Sequence, residues 1–138
     1  MTQHVRILQP DFVEPFFAHV WRDDQTIMWM LSHPDLAWPD AAVEPQPIQF
    51  NPGDPGLGTS NWPGTTPSPI GDPPPSGTPD RRNYVALCGA IMNGTEQERY
   101  TYKLMVLNVL THESFYIRRQ DPNTGEWFDP DVGNEPQP

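Results

Sequence analysis

The stretch that decides the fold is Asn83-Tyr84-Val85-Ala86-Leu87-Cys88-Gly89-Ala90-Ile91-Met92, followed by Asn93-Gly94 and then Arg99-Tyr100-Thr101-Tyr102-Lys103-Leu104-Met105-Val106-Leu107-Asn108-Val109. In the first segment Tyr84, Ala86, Cys88, Ala90 and Met92 alternate with Val85, Leu87, Gly89 and Ile91. Both faces are apolar, so a central strand is expected. Asn93-Gly94 signals a hairpin, extended here by Thr95 to Glu98. The second segment places Tyr100, Tyr102, Leu104 and Val106 on one face, and the two strands are expected to pair.

Downstream, Ser114 to Arg119 reads as a strand with Phe115 and Ile117 on the face opposite Tyr116 and Arg118. Asp121-Pro122-Asn123-Thr124-Gly125 is a tight hairpin loop, and Glu126-Trp127-Phe128 completes the hairpin. Residues 129–138 read as an extended acidic tail. Upstream, His4 to Leu8 is a short strand. Phe16 to Trp21 puts Phe17, His19 and Trp21 on a more aromatic face than Phe16, Ala18 and Val20. After the polar turn Asp23-Asp24-Gln25, Thr26 to Leu31 is a second apolar run. A helix over Phe16 to Leu31 is the competing reading; β-branched and aromatic enrichment favours a hairpin.

The chain has 138 residues, a size suited to one domain spanning 1–138. Its 19 prolines and 10 glycines make about 21% of the residues, against roughly 12% in an average protein. That excludes a helical bundle, while 15 aromatics exclude a wholly disordered chain. The prolines are localised: 13 lie in residues 32–82, and the two best strands have none. The 32–82 segment is therefore expected to be a long loop excursion in which only Pro47-Ile48-Gln49-Phe50 can supply a strand. The fold expected is all-β: a single antiparallel Greek-key β-sandwich of about seven strands, with a barrel as the less favoured alternative.

Eighteen acidic against eight basic residues give a net charge of −10. Such a chain does not attract a phosphate backbone or an anionic membrane surface, so neither nucleic acid nor a membrane is expected as partner. Cys88 is the single cysteine, so no internal disulfide forms. The N-terminal residues carry no secretory pattern, and a cytoplasmic protein is the expectation. On that setting Asn93-Gly94-Thr95 reads as a turn rather than a glycosylation site.

Three short stretches resemble small bacterial immunoglobulin-like or cupredoxin-like β-sandwich domains. They are Val20-Trp21-Arg22-Asp23-Asp24 before Thr26-Ile27-Met28-Trp29, Tyr100 to Val106, and Asp129-Pro130-Asp131-Val132. The resemblance they carry covers about half of the chain. The resemblance implies a fold and no activity. It departs from copper-binding members, because Cys88-Gly89-Ala90-Ile91-Met92 has no histidine between Cys and Met and His112 lies far beyond.

Reactive constellations are sparse. Cys88 with His112 or His19 would make a nucleophilic pair, but a cysteine among Ala86, Leu87 and Ala90 reads as a small core hydrophobe. Asp23, Asp24, Asp121, Asp129 and Asp131 read as turn carboxylates, without the run of ligands that a calcium loop needs. His4, His19, His33 and His112 lack metal-ligand spacing. Gly53, Gly56 and Gly58 precede no helix and form no phosphate loop. No catalytic residue, metal or cofactor is expected. The candidate binding residues are Trp38, Trp62, Trp127 and Phe128, which neighbour turns, and Pro73-Pro74-Pro75, a preorganised polyproline II segment.

The function expected is that of a non-enzymatic structural or interaction protein. It would self-assemble, or dock on a protein partner, through the 32–82 loop and the 129–138 tail. The alternative is a ligand-binding module, for carbohydrate or peptide, built on the loop tryptophans.

Overall fold

The computed structural model describes residues 2–9, 12–20, 25–88 and 98–134. The Asp23-Asp24 turn, Gly89 to Met92 with the Asn93-Gly94 turn, and residues 135–138 of the tail lie outside them. The described chain is all-β. In order its strands are β1 (Thr2–Gln9), β2 (Phe12–Glu14), β3 (Phe17–Val20), β4 (Thr26–Leu31), β5 (Leu36–Ala37), β6 (Ile48–Phe50), β7 (Ser68–Pro69), β8 (Tyr84–Leu87), β9 (Glu98–Asn108), β10 (Glu113–Tyr116), β11 (Arg119–Gln120), β12 (Trp127–Phe128) and β13 (Asp131–Asn134). One 3₁₀ turn, Pro55–Leu57, precedes β7.

One sheet runs β2-β1-β4-β8-β7. The second runs β10-β9-β13-β3, with β5 and β6 also paired to β9. Neither is closed into a barrel. Alternation sets their inner faces. Val5, Ile7, Ile27, Trp29, Tyr84 and Ala86 of the first sheet join Ala18, Val20, Tyr100, Tyr102, Leu104, Val106 and Val132 of the second in one buried cluster. Trp29 and Tyr102 meet edge-to-face across it, 5.6 Å between centroids. The inward face read for β9 is thus the buried one.

Several expectations are corrected. Not every pair is antiparallel: β1 runs parallel to β4, and β13 parallel to β3. Alternation fixes which face a strand buries and says nothing of its direction, since Val5 opposite Trp29 buries both in either sense. The Phe17–Val20 and Thr26–Leu31 strands form no hairpin, because β3 joins the second sheet while β4 sits between β1 and β8 in the first. Nor do β8 and β9 pair among the described residues; they belong to different sheets and share only the core. Leu87 on the outer face of β8 is exposed rather than covered. The count of strands rises because many are two to four residues long.

In residues 32–82, where only Pro47 to Phe50 is expected to supply a strand, three short strands form, β5, β6 and β7, and the segment bonds to both sheets. Odd-numbered backbone positions of β9, and Val109 just beyond it, bond to this segment. Val109 and Met105 N–H donate to the carbonyls of Asp35 and Pro47, and Asn51 and Ser60 N–H donate to those of Thr101 and Arg99, all at 2.8–2.9 Å. Even positions serve the opposite edge: Ile117 N–H donates to Leu104, and Tyr102 N–H donates to Pro130. The segment then crosses to the first sheet, where Thr65 N–H donates to Leu87 and Ile70 N–H to Asn83. Proline is tolerated here because Pro47 and Pro130 contribute carbonyls, and their missing N–H groups are not called upon.

The tail is corrected too. Asp131–Asn134 lies between β9 and β3, so both its edges are filled within the chain. Val132 is fully buried and Asp131 nearly so.

Candidate functional site

The Asp121–Gly125 turn closes as expected. Asn123 N–H donates to Asp121 Oδ1 at 2.8 Å, and Gly125 takes the left-handed φ of 74° that favours glycine. Asp121 and Glu126 are joined at its neck by a 2.8 Å backbone bond, and β11 pairs with β12 beyond. This hairpin is fastened at its root. Arg118 Nε lies 3.2 Å from Asp129 Oδ1, and the Arg119 guanidinium lies 4.3 Å from the Phe16 ring centroid and 5.7 Å from that of Phe17. Asn51 Nδ2 donates to Asp129 Oδ2 at 2.9 Å and to Thr101 Oγ1 at 3.1 Å, tying hairpin, β9 and Pro-rich segment together.

Opposite the hairpin, the 3₁₀ turn is set by Asp54. Its Oδ1 accepts from Gly56 N–H at 2.9 Å, and its backbone N–H donates to Thr59 Oγ1 at 2.8 Å. Leu57 is thereby held outward. Between turn and hairpin lies a groove of about 760 Å³. Its apolar wall is Phe17, Leu57, Trp127 and Phe128, exposed by 42, 72, 60 and 37%. Among the described residues its polar rim carries the carboxylates Asp54, Glu126 and Asp129 and the cation Arg99. Arg99 Nε lies 2.9 Å from Asp131 Oδ2. Burial pushes the Asp131 carboxyl up to about 6, while Arg99 and His19 pull it down.

The seven sequence-predicted site residues fall in three places. Trp127 and Phe128 are in this groove. Trp38 and Pro73-Pro74-Pro75 flank a second cleft of about 550 Å³. There Trp38 is only 2% exposed, packs edge-to-face on Tyr84 and donates its indole N–H to the Arg82 carbonyl at 2.6 Å. It is a core residue and offers no open ring face. Arg82 grips Asp80 through two nitrogens at 3.0 and 2.8 Å, and these bonds hold the Asp80 carboxyl below its ordinary value. Trp62 is half-buried at a third cleft, stacked on Phe50 at 4.1 Å. Gly64 sits against its ring, where a Cβ would come within 2.5 Å.

Sequence reasoning missed Leu57, Arg99 and the fastening role of Asn51. Phe17 had a signal, since it fell on the more aromatic face of its strand. Cys88 is buried, and burial alone pushes its thiol up to about 12, which leaves no thiolate for nucleophilic chemistry near neutral pH. His112 lies in an exposed turn with a left-handed φ of 59°. Among the described residues no group of three His, Cys, Asp or Glu side chains is arranged to hold a metal ion, and no helix is long and apolar enough to cross a membrane. Comparison of the chain with family models, with curated proteins and with solved structures finds no match.

Proposed function

We propose that this chain is a non-catalytic interaction protein that docks a protein partner in the groove between Leu57 and the Trp127-Phe128 hairpin. The observation that carries the reading is the joint exposure of Phe17, Leu57, Trp127 and Phe128 around one concavity. Contiguous exposed aromatics with a polar rim mark association surfaces, and tryptophan leads among residues that dominate binding energy. The groove is lined by the Pro-rich segment from Asn51 to Thr59, by β3 and β9, and by Glu126-Trp127-Phe128 of the hairpin, with Asp129 the one lining residue of the 129–138 tail. As scaffold, we read the two sheets as an immunoglobulin-like Greek-key sandwich in which two strand pairs run parallel; their shared core supports this. The free, buried Cys88 is in keeping with a cytoplasmic setting.

The partner segment is extended and basic. Asp54 and Glu126 on the rim, with Asp129 already paired to Arg118, on a chain of charge −10, favour a cationic visitor and disfavour a second copy of the same acidic chain. The test is calorimetric titration of the full chain with a short arginine- and proline-rich peptide. Saturable binding is expected, weakened by about tenfold or more in Trp127→Ala and reduced in Glu126→Gln. Undiminished binding in Trp127→Ala would overturn the reading. So would light scattering that shows a self-assembled species dispersed by that substitution, which would make the occupant a second copy.

A further inference from the structure

The third cleft, about 600 Å³ in volume, is chemically unlike the rest of the surface. In a chain of charge −10, no charged side chain lines it among the described residues. Its polar groups are four carboxamides, Gln46, Gln49, Asn51 and Asn61, with the Thr66 hydroxyl beside the Phe50–Trp62 stack. We propose that this cleft is a subsite for a neutral carbohydrate.

The orientation of two amides carries the argument. Asn51 donates from Nδ2 to the Asp129 carboxylate and to Thr101 Oγ1. A carboxylate only accepts, so the nitrogen must face it, and the carbonyl Oδ1 is left as an acceptor. Asn61 is fixed the opposite way. Its Oδ1 accepts the Gly53 N–H at 2.7 Å, and a backbone N–H only donates, so Nδ2 is left as a donor. Gly53 can approach this closely because it has no Cβ; one built there would come within 2.5 Å of the Asn61 backbone nitrogen. The cleft wall therefore offers one preset acceptor and one preset donor. A hydroxyl group needs both at once, and a polyol presents many.

Alternative ligand classes fit less well. A phosphate, carboxylate or ammonium group would find no counter-charge among the described lining residues. An apolar ligand would take water from the remaining Asn51 acceptor and Asn61 donor and give them no partner, at a cost per group comparable to a lost hydrogen bond. A neutral sugar satisfies the amides and lays its C–H faces against apolar surface at Phe50, Pro52 and Pro67. The volume lies within the range of small-molecule sites. The inference is independent of the protein-docking groove, which lies across the Asn51-Pro52 ridge that both share.

The test uses the full chain and a panel of neutral mono- and disaccharides, with glucuronate and glucosamine as charged comparators. Side-chain amide resonances of Asn51 and Asn61 are followed by NMR. Saturable shifts are expected at both amides with at least one neutral sugar. Asn61→Asp keeps an acceptor for the Gly53 N–H but removes the donor, and should weaken that binding about tenfold with the thermal midpoint retained. A variant with a lowered midpoint is replaced by Gln46→Ala, for which the same weakening is expected. Absence of saturable shifts with every neutral sugar, preference for a charged comparator, or binding unchanged in the folded variant would overturn the proposal.

Discussion

Arg99 Nε and Asp131 Oδ2 lie 2.9 Å apart across the β9–β13 pair, yet the two ends are unequally solvated: the arginine side chain is 54% exposed and the aspartate 5%. The exposed guanidinium is screened by water, so its attraction does not offset the desolvation of the carboxylate. The folded chain therefore holds the Asp131 proton more tightly than the unfolded chain, with the carboxyl moved from 3.8 to about 6 by burial against the pull of Arg99 and His19. Stability from this group is full below about pH 4 and is lost as pH rises through about 6. Asp131→Asn resembles the neutral acid. It should stabilise the fold at pH 8 by on the order of 2–3 kcal/mol and have little effect near pH 3. Urea unfolding at both pH values checks this; equal effects at the two would contradict it.

The inward face of β9 is the firmest part of the fold. Leu104 is fully buried in the cluster that joins the two sheets. Leu104→Ala should cost about 2–5 kcal/mol. Leu104→Asp and Val106→Asp should unfold the chain, because each buries an unpaired charge. A Leu104→Asp protein as stable as its parent in thermal melts would show that the face is misassigned.

This face was legible because Tyr100, Tyr102, Leu104 and Val106 recur with the two-residue period of a strand, which needs no knowledge of neighbours. The Asp121–Gly125 hairpin was legible for a similar reason, since turn chemistry is local. Partner choice was not legible. Nothing in Thr2–Gln9 and Thr26–Leu31 announces a parallel pair, and nothing near Asp131 announces insertion between β9 and β3. The Pro-rich segment misled most. Proline excludes a residue from donating, but Pro47 sits beside Met105 as an acceptor, and strand assignment from composition registers only the missing donor. The groove was half legible: Trp127 and Phe128 neighbour a turn, whereas Leu57 reaches them only because residues 51–60 are bonded along β9.

If the Pro-rich segment is the edge partner of β9, its amides should resist exchange. Asn51 and Ser60 N–H donate to β9 carbonyls. Their exchange should be slowed as strongly as that of Met105 and Val109, which donate in the other direction. Hydrogen exchange read by NMR checks this. Exchange of Asn51 and Ser60 at unprotected rates, with Tyr102 protected, would mean that the segment is detached.

Gly64 is wedged between the Trp62 ring and the Leu87 carbonyl, and a methyl group there would overlap both. Gly64→Ala should destabilise by about 1–3 kcal/mol and move the Trp62 indole off Phe50. Trp62 fluorescence and a chemical melt report the two effects; a melt identical to the parent would contradict the packing.

With the arginine- and proline-rich peptide added to the full chain, chemical-shift mapping should show the largest changes at Phe17, Leu57, Trp127 and Phe128. Changes there that saturate, and that vanish in Trp127→Ala with the rest of the spectrum intact, are the expected result. Shifts centred on Leu87 or on Pro73-Pro74-Pro75, or no saturable shift at any residue, would contradict the assignment of the groove as the docking surface.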